Sequence, residues 1–196
     1  MAKIKAGDSG SKKDAILKKA ATLFRTKGFK ASSMRELALK IGVEAPSLYN
    51  HIGSKSELLQ SICFKVAAEF NSHLQNVEAS DSTATSKLER LIRFHIQMML
   101  QSFDEVYVSN HEWKYLEEPH LAGFLQQRKH YEASMLQLVK TGIEKKELKN
   151  IHPHVAVLTI LSAVRGLEFW QRYKKEIDAT LLEDNMVNHL LTGIKK

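Results

Sequence analysis

Apolar residues recur along this chain at intervals of three and four, the period of helices buried on one side. Ile16, Ala20, Leu23 and Phe24 set the pattern on a first helix from Lys12, which Lys27-Gly28 ends with a glycine suited to a left-handed cap. Residues 1–11, rich in Gly, Ser and Lys, read as a flexible lead. Ser33 followed by Glu36 has the spacing of a reciprocal N-terminal cap and opens a short second helix that stops at Gly42. Pro46 suits the first turn of a third helix, where its missing N–H costs nothing. Gly53-Ser54 separates that helix from a long fourth one, Lys55 to about Val77. Glu78 to Ser86 reads as a loop. Helical spacing then returns over Leu88 to Phe103 (Leu88, Leu91, Ile92, His95, Met99), Asp104 to Leu116, Pro119 to about Lys146, Pro153 to about Lys174, and Asp178 to about Gly193. No strand alternation and no internal repeat interrupts the series. The pattern predicts an all-α chain of about nine helices: an N-terminal three-helix domain over residues 12–55 and a C-terminal helical domain over residues 56–196.

Composition agrees with a folded globular chain, 43% apolar and with only three prolines. No apolar run reaches the roughly 18 residues of a membrane span. Met1 to Lys13 is polar and basic, without the apolar segment of a secretory signal. Cys63 is the single cysteine, so no intrachain disulfide forms. These features lead us to expect a cytoplasmic protein with no membrane partner. Charge changes the picture more. Residues 1–60 hold 12 Lys+Arg against 5 Asp+Glu, a surplus of +7, whereas residues 61–196 hold 17 of each and are neutral. A basic segment of this kind suits nucleic acid or an anionic membrane, or serves as a solubilising tail.

The most specific signal lies in residues 32–52, SSMRELALKIGVEAPSLYNHI. Two helices crossing in a helix-turn-helix need a small residue at the crossing, here Ala38, and a turn residue tolerant of positive φ, here Gly42. Leu37, Ile41, Val43 and Leu48 stand where apolar side chains would join the pair. The same spacing also fits an ordinary helical hairpin in a core.

Residues 14–60 resemble the DNA-binding domain of the TetR family of bacterial repressors. The run GVEAPSLYNHIGSKSELL (42–59) carries the resemblance with Pro46, Leu48, Tyr49, His51 and Lys55. Ala20, Leu23, Phe24, Gly28 and Phe29, then Ser33, Arg35, Glu36, Leu37 and Ala38, match upstream. The resemblance implies a third helix in the major groove, with Ala45, Pro46 and Ser47 facing base edges and Tyr49 and Asn50 close behind. It implies that Arg35 reaches a guanine, for which its guanidinium is well shaped. Ser33, Ser47, Tyr49, His51 and Lys55 would hold phosphates. Two positions depart from the family: Ala45 stands where many relatives carry a longer polar side chain, and Glu44 where a Ser or Thr cap is common. The operator sequence therefore does not carry over from any relative.

For the C-terminal part the resemblance implies a homodimer through residues 153–174 and 178–193, where Ala156, Ala163 and Gly166 permit close helix approach or serve ordinary internal packing. It also implies a ligand cavity within residues 88–174. Phe94, Met98, Met99, Phe103, Tyr107, Trp113, Phe124, Tyr131, Met135 and Trp170 are the candidate lining, although such residues also build any core. Arg128, Tyr131 and Glu132, then Gly142-Ile143 and Gly166-Leu167 with Trp170, resemble the branch of the family that senses fatty acyl-CoA. The function so implied is a repressor released from double-stranded operator DNA by an apolar or amphipathic small molecule, with acyl-CoA the first candidate. The net neutrality of residues 61–196 argues against a highly charged effector. The rival reading is an effector-independent or architectural DNA binder. Enzyme chemistry finds no motif: His111-Glu112 lacks a second histidine, since Tyr115 stands in its place, and His152 and His154 have no third ligand. We expect no catalytic residue, no metal and no cofactor.

Overall fold

The computed structural model describes residues 9–49, 52–172 and 177–196. These residues form nine α-helices: α1 (Ser9–Lys27), α2 (Met34–Ile41), α3 (Ala45–Tyr49), α4 (Lys55–Glu78), α5 (Ala84–Gln101), α6 (Phe103–His111), α7 (His120–Glu144), α8 (Pro153–Arg165) and α9 (Ala179–Ile194). Short 3₁₀ turns follow α6 (Trp113–Tyr115) and α8 (Gly166–Arg172). Among the described residues there is no strand, only an isolated bridge between Leu148 and Lys195. No described helix is long and apolar enough to cross a membrane.

Helix ends follow side-chain chemistry. Ser33 Oγ accepts from the Glu36 N–H at 3.2 Å and Glu36 Oε2 accepts from the Ser33 N–H at 3.0 Å, the reciprocal cap that their spacing predicts. Ser54 caps α4 by accepting from the Glu57 N–H at 3.0 Å. Asp178 caps α9 by accepting from Thr180 N–H (2.8 Å) and Leu181 N–H (3.2 Å), and those bonds hold its carboxyl below the usual range.

Four boundaries differ from the sequence reading. The first helix begins at Ser9, inside the stretch taken as a flexible lead. The loop after α4 is shorter than its Ser/Thr content implies, because Thr83 is itself the cap of α5, accepting from the Ser86 N–H at 3.1 Å. The helix expected over 104–116 stops at His111 and resumes as a 3₁₀ turn. The helix expected to reach Lys174 ends as an α-helix at Arg165 and continues from Gly166 as a 3₁₀ turn.

Two cores run side by side. The first gathers Ile16, Leu23 and Phe24 of α1, Leu37 of α2, Leu48 of α3 and Leu58 of α4. It continues past residue 55 into Val108, Leu116 and Phe124. The second gathers Leu91, Ile92 and Ile96 of α5, Met135 of α7 and Ile160 of α8. Three helices enter both. The fourth gives Leu59 to one and Leu74 to the other, α6 gives Val108 and Val106, and α7 gives Phe124 and Tyr131. The two parts of the chain are therefore coupled through shared helices.

Candidate nucleic-acid interface and cavity

The short α3 is held against α2 by few contacts placed where the sequence puts them. Leu37, Ala38 and Leu48 are buried at the crossing. Gly42 takes φ +81°, and its N–H bonds the carbonyls of Ala38 (2.9 Å) and Leu39 (3.2 Å), turning the chain from α2 to α3. Val43 differs from expectation: it follows this turn and stays 38% exposed, so it does not join the pair. Ala45, Pro46, Ser47 and Tyr49 all fall on α3, and Tyr49 is half exposed. Arg35 is exposed on α2 and makes no ion pair among the described residues. Asn50 and His51 lie outside the described residues.

Lys55 has another occupation than the phosphate contact expected of it. Its ammonium donates to the carbonyls of Phe29 (2.8 Å), Ser32 (2.8 Å) and Lys30 (3.3 Å), and it lies 4.5 Å from the centre of the Phe29 ring. All three of its N–H donors are thus directed at the α1–α2 connection, which it ties to the start of α4. Ser33 likewise directs its hydroxyl to Glu36 as part of the cap.

A second feature lies between α4, α5, α6, α7 and α8: a cavity of about 130 Å³. Its apolar wall includes Phe70, Met99, Val106, Leu161 and Val164, and its polar wall Asn71, His95, Gln127, Arg128 and Arg165. His95 Nε2 and the Tyr131 hydroxyl pair at 3.0 Å, and the Phe70 ring packs 4.5 Å from the imidazole. Burial lowers the His95 pKa to about 3, with Arg165 and His73 adding in the same direction, so the ring is neutral. Burial also lowers the pKa of the Arg128 guanidinium, and the charge of Arg165 adds to the effect.

Of the ten residues proposed from sequence as lining, Met99 and Tyr131 line this cavity. Phe94 stacks on His73 (4.0 Å), and Met98 is buried in the second core. Phe94 stands one position from the lining residue His95, as Met98 does from Met99, and one residue turns a helix face by about 100°; Met135 is buried in the second core. Phe103 lies under the Arg25 guanidinium at 5.3 Å, and Tyr107 stacks on His111 at 4.3 Å. Trp113 and Phe124 belong to the first core, with Arg128 beside both rings. Trp170 packs on the second core. Among the described residues, no group of three His, Cys, Asp or Glu is placed to hold a metal ion.

This architecture matches known proteins. Residues 16–62 match the family described as bacterial regulatory proteins, tetR family, and residues 81–194 match its tetracyclin repressor-like C-terminal domain. The chain belongs to the TetR family. Among TetR relatives, the HTH-type transcriptional repressor KstR2 of Mycolicibacterium smegmatis is 33% identical over 81 residues, 41% of this chain and 38% of that one. KstR2 of Rhodococcus jostii is 28% identical over 110 residues, 56% of this chain and 53% of that one. The matches thus span about half or less of these curated relatives. Solved TetR structures overlay over nearly the whole chain. The ketosteroid transcriptional regulator KstR2 of Mycobacterium tuberculosis gives a TM-score of 0.88 at 20% identity, covering 97% of this chain and 98% of that one. AibR in complex with isovaleryl coenzyme A and operator DNA gives 0.80 at 23% identity, covering 91% and 97%. At these identities the overlays establish the fold shared with TetR proteins.

The cavity's polar residues left two traces in the sequence: His95 interrupts the apolar stripe of α5, and Arg128, Tyr131 and Glu132 are the residues that carry the resemblance to the acyl-CoA branch. Asn71 and Arg165 left none, because a polar residue near a helix rim reads as solvated until the neighbouring helices are placed.

Proposed function

We propose that this protein is a homodimeric transcriptional regulator that binds double-stranded operator DNA through α2 and α3 and leaves it when a small amphipathic molecule fills the cavity. The observation that carries the reading is the α2–α3 pair itself: a five-residue helix held by buried Leu48, with Tyr49 outward, in a segment holding the chain's whole positive surplus. Arg35, Ala45, Pro46, Ser47, Tyr49, Asn50 and His51 are the residues we assign to DNA contact, with Arg35 on a base edge and the hydroxyl and imidazole groups on phosphates. A second copy would pack on α8 and α9, where Val155, Leu158 and Leu181 are more than half exposed. Ala156 is buried within its own protomer and serves internal packing instead.

The cavity favours a sensor over an effector-independent DNA binder, since a repressor without a ligand has no need of one. Its volume is near the about 150 Å³ of a cavity that holds benzene, so a short or branched acyl group fits without rearrangement. AibR, a protein of the same fold, binds a branched short-chain acyl-CoA. The test is a fluorescence-polarisation titration of the dimer against DNA from upstream of its own gene and against scrambled DNA, across a salt series. We expect preference for one upstream segment by a factor of about 10³ or more. Equal binding to both at every salt concentration would refute a sequence-specific regulator.

A further inference from the structure

Two arginines, Arg128 and Arg165, line the cavity without an ion pair among the described residues. Arg128 is half-buried on α7, one helical turn before the exposed Glu132, yet among the described residues no carboxylate lies within ion-pair distance of it. It donates to the Ser109 carbonyl at 3.5 Å, and the rings of Trp113 and Phe124 lie at 5.9 and 5.7 Å. Arg165 joins it from the end of α8, also without an ion pair among the described residues. A charge withdrawn from water is ordinarily paired; here half-buried Arg128 and exposed Arg165 line the same cavity with a single carboxylate, Glu132, beside them. Asn71 marks the same wall as polar. Its amide Nδ2 donates to the Ala67 carbonyl (2.8 Å) and faces Gln127 Oε1 (3.5 Å), which fixes its orientation. Its Oδ1 is buried and has no partner among the described residues. Phe70, Met99, Leu161 and Val164 supply apolar lining.

We propose that the cavity takes an organic anion, its acidic group seated between Arg128 and Arg165 and its short apolar body against Phe70, Met99 and Leu161. This rests on the sensor reading above and runs against the expectation, drawn from the neutral total of residues 61–196, that a highly charged effector is disfavoured. The local balance at the cavity, two guanidiniums to one carboxylate, decides the matter. A guanidinium offers paired N–H donors that match a carboxylate or a phosphate. The acidic group therefore has two possible sources: the carboxylate of a free acid, or the phosphates of a coenzyme A thioester.

The experiment titrates the full-length protein by NMR with 4-methylpentanoate, with the isosteric neutral 4-methylpentanamide, with 4-methylpentanoyl-CoA and with coenzyme A alone. We expect the acid or the thioester to bind at least tenfold more tightly than the amide. We expect Arg165→Gln, an exposed position that leaves the core intact, to remove most of that difference, while Arg128→Lys keeps part of it. Tight free acid places the carboxylate at the arginines; tight thioester and coenzyme A with weak free acid place the phosphates there. If the amide binds as well as both anions, or if Arg165→Gln and Arg128→Gln leave anion binding unchanged, the assignment falls. Operator release is read separately. Arginine-dependent binding that leaves DNA affinity unchanged would overturn the sensor reading and keep the anion site, whereas release by a ligand indifferent to both arginines would do the opposite.

Discussion

Three backbone carbonyls, those of Phe29, Lys30 and Ser32, converge on the single ammonium of Lys55. Hydrogen bonds to a charged group contribute about 1.5–3 kcal/mol each at most, and fewer survive a water-filled replacement. Lys55→Met should lower stability in urea by about 1–3 kcal/mol and weaken DNA binding only through that loosening. The slope of log affinity against log salt should then match the wild type. A slope smaller by about one unit would return Lys55 to a phosphate. The sequence shows the lysine; that it reaches back across 25 residues depends on how α1 and α4 pack, which no local pattern records. His95 supports a pH prediction. Its folded pKa of about 3 lies below the ordinary 6.5, so the unfolded chain binds the extra proton between those values and stability falls as pH falls through that window. From pH 7 to pH 5 this group alone should remove about 2 kcal/mol. His95→Gln should show a correspondingly shallower loss in urea melts at the two pH values. An equal loss in both proteins would mean that the imidazole is not kept neutral by its surroundings.

At the scale of elements, two glycines act for different reasons. Gly42 needs a left-handed backbone but has open space around it, so Gly42→Ala should cost about 1–2 kcal/mol from backbone strain alone, and Gly42→Asn less. Gly142 lies in α7 with ordinary helical geometry, but a Cβ there would meet Leu148 Cδ1 at 2.7 Å and Ala84 Cβ at 3.1 Å. Gly142→Ala should therefore destabilise by about 1–3 kcal/mol through overpacking. Combined with Leu148→Ala it should cost less than the sum of the two changes, as a double-mutant cycle in thermal unfolding would report. The number and order of helices were legible because each apolar stripe is long and each start carries a Ser, Thr, Asp or Pro signal. What was not legible is where a stripe changes geometry without changing composition, as at His111 and Arg165. The cavity lining failed for a related reason. Periodicity identifies the buried face of α5, yet telling Phe94 from His95 on that face requires the positions of α4 and α7.

At the scale of the molecule, the exposed apolar residues of α8 and α9 predict a second copy. Light scattering should give twice the 22.3 kDa chain mass, and Leu158→Lys should yield a monomer that binds operator DNA far more weakly, since one α3 reads only a few base pairs. A persistent wild-type monomer at micromolar concentration would refute the dimer. Asp104 at the start of α6 bonds Thr22 and Arg25 of α1, and Glu112 accepts from the Phe29 N–H at 3.1 Å. Because Val106, Ser109 and Asn110 of the same helix wall the cavity, anything that displaces α6 from inside pulls on α1. Cys63 lies fully buried in the first core, where α4 runs beside these contacts, and burial pushes its thiol up to about 12. So few thiolates exist at neutral pH that a thiol reagent must wait for the core to part. The speed at which the protein takes up such a label is thus a stopwatch for the breathing of its N-terminal half: operator DNA should slow it, and whatever fills the cavity should change its pace before any change in shape is visible.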